Sequence, residues 1–176
     1  METEKRLHRC CFTGHRPEKL SISETEARPL LEKAIDTAIG NGFTTFITGM
    51  AQGIDIWAAE IVLQKRNHNA ALHLICAVPH PDFEKRRGFF EEQRYDRIIK
   101  NADYVTTISD HYYKACYQKR NEWMVDRSSL VIAVWNGQPS GTKNTIDYAN
   151  RKGIRVVNVL NVFLQKNNVY LNFVYE

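Results

Sequence analysis

The sequence predicts an α/β fold, a doubly wound and mostly parallel sheet with helices on both faces. Three observations predict it. Apolar strand-like runs alternate with helix-periodic runs along the chain. The run Ala71–Val78 is nearly all apolar, as a strand covered on both faces must be. Glycine turns fall where two apolar strands should end, at Thr13-Gly14-His15-Arg16-Pro17 and at Thr48-Gly49-Met50-Ala51-Gln52-Gly53-Ile54-Asp55.

Arg9–Thr13 reads as the first strand. Arg28–Asn41 follows with Leu30, Leu31, Ala34, Ile35, Ala38 and Ile39 at helical spacing, and stops at Gly40-Asn41-Gly42. Phe43–Ile47 is the second strand, and Asp55–Asn67 a helix with Ile56, Ala59, Ile61, Val62 and Leu63 mostly inward. After Ala71–Val78 comes a proline-punctuated loop, Pro79-His80-Pro81-Asp82, then a charged helix over Phe83–Asn101. Tyr104–Ser109 is a short strand, Tyr117–Arg127 a helix and Leu130–Trp135 a strand. Gly137–Gly141 is a loop, Thr142–Lys152 a helix and Arg155–Leu160 a strand. The tail Val162–Tyr175, apolar and aromatic around Lys166-Asn167-Asn168, reads as a hairpin or edge strand. No repeat, low-complexity run or linker divides residues 1–176, which read as one domain.

The chain has 176 residues, 43% hydrophobic and 25% charged, the balance of a globular protein with a full core. A formal charge of +4 permits an anionic ligand or nucleic acid without demanding either. Of Cys10, Cys11, Cys76 and Cys116, the first three lie in apolar runs, and no C-x-x-C or zinc spacing occurs. Reduced thiols and a cytoplasmic location are the expectation. Met1–Arg9 is charged and lacks a signal-peptide core, and no apolar run is long enough for a membrane helix. The six histidines are scattered, so neither a metal nor a resident cofactor is expected.

In a doubly wound sheet, ligands bind beyond the carboxyl ends of the strands. The loops that matter are therefore 13–18, 48–55, 79–86, 109–121 and 136–142. In the first, Gly14 allows close backbone approach, Arg16 can fork onto a phosphate and His15 is a weaker candidate; a plain loop with an exposed arginine is the alternative. In the second, Gly49 and Gly53 bracket the turn, and Asp55 either caps the following helix or holds a ribose hydroxyl. Neither spacing is a Walker or G-x-G-x-x-G pattern. Ser140, Gly141 and Thr142 open a helix and form either an anion cradle or a simple cap. Arg120 and Asn121 either reach the ligand or belong to a solvated charged face. Tyr112, Tyr113 and Tyr117 cover a base or line a loop. Lys85-Arg86-Arg87 with Phe89 and Phe90 is either a nucleic-acid surface or a charged face over a core stripe. Trp57, Trp123 and Trp135 are packing residues.

The set T-G-H-R-P, T-G-M-A-Q-G-I-D-I-W-A-A-E and R-N-x-x-M-V-D-x-S resembles the YpsA-like branch of the SLOG superfamily, over residues 8–160. That superfamily joins the DNA-processing protein DprA and the LOG-type phosphoribohydrolases on one Rossmann-like fold. The resemblance implies a pocket for a nucleotide or nucleotide derivative such as ADP-ribose. LOG-type enzymes carry P-G-G-x-G-T-x-x-E, whose glutamate acts with an arginine on the N-glycosidic bond. Here the stretch is Pro139-Ser140-Gly141-Thr142-Lys143-Asn144-Thr145, with Thr145 in the glutamate's place. Arg120 and Met124 fit the family's R-x-x-x-M, so the arginine is present and the carboxylate is absent. A threonine does not replace a carboxylate in acid–base or cation-stabilising work. Hydrolysis would then require Asp55, Glu60 or Glu122. The catalytic candidates are Arg120, Asp55 and Glu122. A DprA-like reading implies single-stranded DNA as partner, against which the modest charge argues. SLOG relatives often dimerise, which makes a homodimer an expectation.

The sequence therefore favours a binding or sensing domain. Gly14, His15, Arg16, Gly49, Gly53, Asp55, Arg120, Asn121, Ser140, Gly141 and Thr142 form its ligand set. The alternatives are a LOG-like N-glycosidase and a DNA binder.

Overall fold

The computed structural model describes residues 2–83 and 88–161. The basic run Lys85-Arg86-Arg87 and the tail from Val162 lie outside the described residues.

Strands β1 (Arg9–Gly14), β2 (Thr45–Thr48), β3 (His73–Val78), β4 (Tyr104–Thr107), β5 (Leu130–Val134) and β6 (Arg155–Asn158) form one sheet, in the order β4-β3-β2-β1-β5-β6. Every pair is parallel, with Cys11 opposite Ile47 on one side and Val131 on the other. The fold is α/β and Rossmann-like. The chain winds outward from β1 through β2, β3 and β4, then crosses back to lay β5 on the other side of β1. This reversal parts the loops after β1 and β5 and opens a crevice between them.

The helices are α1 (Glu2–Leu7), α2 (Glu24–Gly40), α3 (Ile54–Arg66), α4 (Phe89–Asn101), α5 (Cys116–Asp126) and α6 (Gly141–Arg151). Strand pleat divides the core in two. Cys10, Phe12, Phe46 and Leu74 pack with Leu31, Ile35, Trp57 and Ile98 of α2, α3 and α4. Cys11, Ile47, Ala77 and Val131 pack with Met124, Val125 and Ala149 of α5 and α6. Adjacent Cys10 and Cys11 thus face opposite cores. All four thiols are free and buried, and burial pushes Cys11 and Cys76 up to about 12.

Several boundaries differ from the sequence expectation. Helix α2 starts at Glu24 and not at Arg28, because Ser23 and Glu26 form a capping box that begins the helix ahead of Pro29. Helix α4 starts at Phe89, with Gly88 at its N-cap, and leaves Phe83 in the preceding loop. A short helix, α1, occupies the charged start of the chain. Strands β4 and β6 each end two residues earlier than expected.

Candidate functional site

Three loops meet at the carboxyl end of the sheet, and hydrogen bonds join them. The His15 N–H donates to the Val134 carbonyl at 3.3 Å, tying the turn after β1 to the end of β5. Asn136, just past β5, donates its side-chain amide to the Lys19 carbonyl at 2.9 Å. Pro17 starts a single 3-10 turn, Pro17–Lys19, where its fixed φ and missing N–H cost nothing. This short turn brings Lys19 back over the crevice.

The turn after β2 is knitted to itself. Thr48 donates its hydroxyl to the Asp55 carbonyl at 2.9 Å and accepts from the Met50 N–H at 3.2 Å. The Asp55 carboxylate accepts from the Ala51 N–H at 3.2 Å. Gly53 is the N-cap of α3, at φ +86° and ψ −120°, a conformation other residues rarely adopt. A Cβ on it would also lie 2.8 Å from Pro17 Cδ. Asp55 is therefore the second residue of α3 and not its cap. Its carboxylate braces the turn from the positive end of the helix.

From α5 rises Arg120, 4% exposed. It donates to the Gly49 carbonyl from Nη1 and to Asn121 Oδ1 from Nε at 2.8 Å. Its guanidinium lies 6.0 Å from the centre of the Phe83 ring. On the far side of the crevice, Ser140 caps α6 by accepting from the Lys143 N–H, and Gly141 and Thr142 form its first turn. A Cβ added to Gly141 would meet nothing within 4 Å among the described residues.

These elements enclose a cleft of about 440 Å³, a size typical of small-molecule sites. Gly14, His15, Arg16, Asp55, Arg120, Asn121, Ser140, Gly141 and Thr142 all line it. So do Lys19, Gln52, Phe83 and Tyr117. Arg16, Lys19 and Arg120 against Asp55 leave an excess of positive charge along the walls. His15 is 3% exposed, and its Nε2 has no hydrogen-bond partner among the described residues. Burial holds its imidazole below the ordinary value, opposed by a hydrogen bond with the Asn136 side chain.

Gly49, Gly53 and Glu122 do not line the cleft. Gly49 makes room for the Arg120 guanidinium, which stands within 2.8 Å of where its Cβ would be. Glu122 accepts from Gln118 on α5 at 2.9 Å. Glu60 lies in an ion cluster with Arg28 and Arg94 that pins α4 against α3 and α2. Thr145 is fully buried, and its hydroxyl donates to the Gly141 carbonyl at 2.8 Å. Lys19 and Phe83 were not singled out as site residues by the sequence. The signal available for Lys19 was its place two residues past a helix-starting proline. Among the described residues, no group of three or more His, Cys, Asp or Glu is placed to hold a metal ion. No helix among them is long and apolar enough to cross a membrane.

A parallel sheet whose strand order reverses at β1, with helices on both faces, is the Rossmann-like class of α/β domain. Residues 10–158 match the model of the YspA SLOG family, and the chain belongs to that family. It is 31% identical over 121 residues to the uncharacterised SPbeta prophage-derived protein YoqJ of Bacillus subtilis (strain 168), spanning 60% of this chain and 69% of that protein. It is 26% identical over 152 residues to a UPF0398 protein of Bacillus thuringiensis (strain Al Hakam), spanning 80% and 82%. Among solved structures it is similar to DNA processing protein A of Helicobacter pylori, described for its single-stranded DNA binding mode. That match has a TM-score of 0.62 and 19% identity, and covers 96% of this chain and 76% of that one. It is also similar to DprA of Streptococcus pneumoniae, with a TM-score of 0.65 and 18% identity, covering 97% and 63%. At these identities the solved structures show the shared fold.

Proposed function

We propose that this chain binds a nucleotide-derived ligand, such as ADP-ribose or a nucleoside phosphate, in the cleft and acts there as a cytoplasmic sensor or binding module. One observation carries the reading. The open first turn of α6, the cations Arg16, Lys19 and Arg120, and a His15 Nε2 without a partner among the described residues converge on one cleft. Helix N–H groups and guanidinium forks suit phosphate oxygens, and a buried imidazole nitrogen gains from a polar ligand. Asp55, buried on the facing wall, is the candidate for a ribose hydroxyl.

Binding without cleavage is favoured by the fate of the carboxylates. Thr145 occupies the glutamate position and is buried away from the cleft, while Glu60 and Glu122 are engaged elsewhere. Asp55 is the remaining carboxylate on the wall, and it already braces the turn after β2.

The test is a thermal-shift screen with ADP-ribose, NAD, nucleoside monophosphates and a single-stranded oligonucleotide, followed by mass spectrometry of each compound that shifts the midpoint. A ligand that binds the native state raises it. An intact nucleotide that stabilises the wild type, and stabilises Arg16→Ala less, is the expected outcome. Recovery of free base and ribose phosphate would replace binding with hydrolysis. Stabilisation by the oligonucleotide alone would replace the small ligand with DNA.

A further inference from the structure

The two ends of the cleft differ in chemistry. One is the polar end formed by Arg16, Lys19 and the start of α6. The other is aromatic, walled by Phe83 from the loop after β3 and Tyr117 from the first turn of α5, with ring centroids 5.8 Å apart. His80 lies against both rings but does not itself line the cleft. Its imidazole meets each at 5.9 Å between centroids and meets Tyr112 at 5.4 Å, steeply inclined in every case. His80 is 5% exposed, yet neither ring nitrogen has a hydrogen-bond partner among the described residues. The hydroxyl of Ser109, buried just past the neighbouring strand β4, is in the same condition. Buried polar atoms without partners are rare in folded proteins, and such a group calls for an explanation. Packing alone does not supply one, since a phenyl ring would fill the same space without the cost.

We propose that this corner is the subsite for a flat heterocycle, the base of a nucleotide, which turns the Phe83 and Tyr117 side chains aside as it enters, stacks on them and pairs its polar edge with His80. The inference rests on the nucleotide reading of the cleft and adds an orientation, with phosphate toward α6 and base toward His80. Three features support it. Base faces stack on aromatic side chains regardless of sequence. The Arg120 guanidinium over Phe83 adds a planar cation beside the stack. A neutral imidazole offers one donor and one acceptor, and nucleobase edges carry both.

The test uses adenosine 5′-monophosphate and ribose 5-phosphate, titrated calorimetrically into the wild type, His80→Phe and Tyr117→Leu, with ADP-ribose as a further probe of the wild type. The wild type should bind the nucleotide about tenfold more tightly than the sugar phosphate, the contribution expected of a stacked base. Both variants should close that gap while holding ribose 5-phosphate as the wild type does. His80→Phe, which keeps the ring and removes the nitrogens, should melt at or above the wild-type temperature. Unchanged nucleotide affinity in both variants, or equal wild-type affinity for the two probes, would overturn the base subsite and leave the phosphate end standing. Failure of all three compounds to bind the wild type would overturn the nucleotide reading and this inference with it.

Discussion

At the end of β1 and in the turn after β2, a side chain at Gly14, Gly49 or Gly53 would strike Ile54, Arg120 or Pro17. At the start of α6, a Cβ on Gly141 would meet nothing within 4 Å among the described residues. The same residue type thus serves two ends. The first three glycines let protein segments close on one another and set the shape of the cleft. Gly141 leaves its space open at a helix N-terminus that faces the cleft. Glycine density in a sequence marks close approach, but only the neighbours in space tell whether the approaching group is protein or ligand.

Substitutions break this comparison most directly. Gly14→Ala places a methyl group against the buried Ile54, and Gly53→Ala adds backbone strain to its contact with Pro17. Each should destabilise the fold by about 2–3 kcal/mol in urea unfolding. A loss below about 0.5 kcal/mol would show that these turns have slack and that their glycines are not packing residues.

A smaller effect comes from a site remote from every turn. Glu60→Gln weakens the cluster with Arg28 and Arg94 and should cost about 1 kcal/mol at neutral pH, without altering any ligand response. Burial raises the Glu60 carboxyl, but the hydrogen bonds and charges of Arg94 and Arg28 outweigh it, so its pKa falls below the ordinary value. Its contribution is then complete above the unfolded carboxylate range and is lost as pH falls through the lower folded value. The difference between wild type and variant should shrink on acidification, and a constant difference from neutral pH to pH 3 would refute the linkage.

The smallest stability effect belongs to Gly141→Ala. It should leave stability within about 0.5 kcal/mol, or raise it slightly, since alanine suits a helix better. On the proposed reading of the cleft, nucleotide binding should nevertheless weaken, because the methyl group would enter the space assigned to the ligand. An alanine variant that binds as well as the wild type would make Gly141 an ordinary helix start.

The fold was legible because it rests on periodicity. Leu30, Leu31, Ala34, Ile35 and Ala38 mark α2, and unbroken apolar runs mark β3 and β5. The start of α2 has its own signal in the Ser23-x-x-Glu26 box, which an apolar period beginning at Leu30 does not reach. The cleft came together from nine of the residues read in the sequence because strand-end loops must share one edge of a parallel sheet. Phe83 was hidden by extension of α4 back over a loop, and Lys19 by a turn too short to show a period. Gly49 and Gly53 could not be told from ligand-facing glycines, since contacts with Arg120 and Pro17 have no signature along the chain.

The pairing of β1 with β5 has a consequence for how the site comes into being. The two segments are far apart in the chain; Arg6 and Ser128, which bond just ahead of the two strands, are separated by 122 positions. Contacts of such long range close slowly, after local pairings such as β1 with β2 have formed. One wall of the cleft belongs to the early part of the chain and the other to the late part. We therefore expect ligand affinity to appear in the final kinetic phase of refolding, which would make binding a reporter of completed folding.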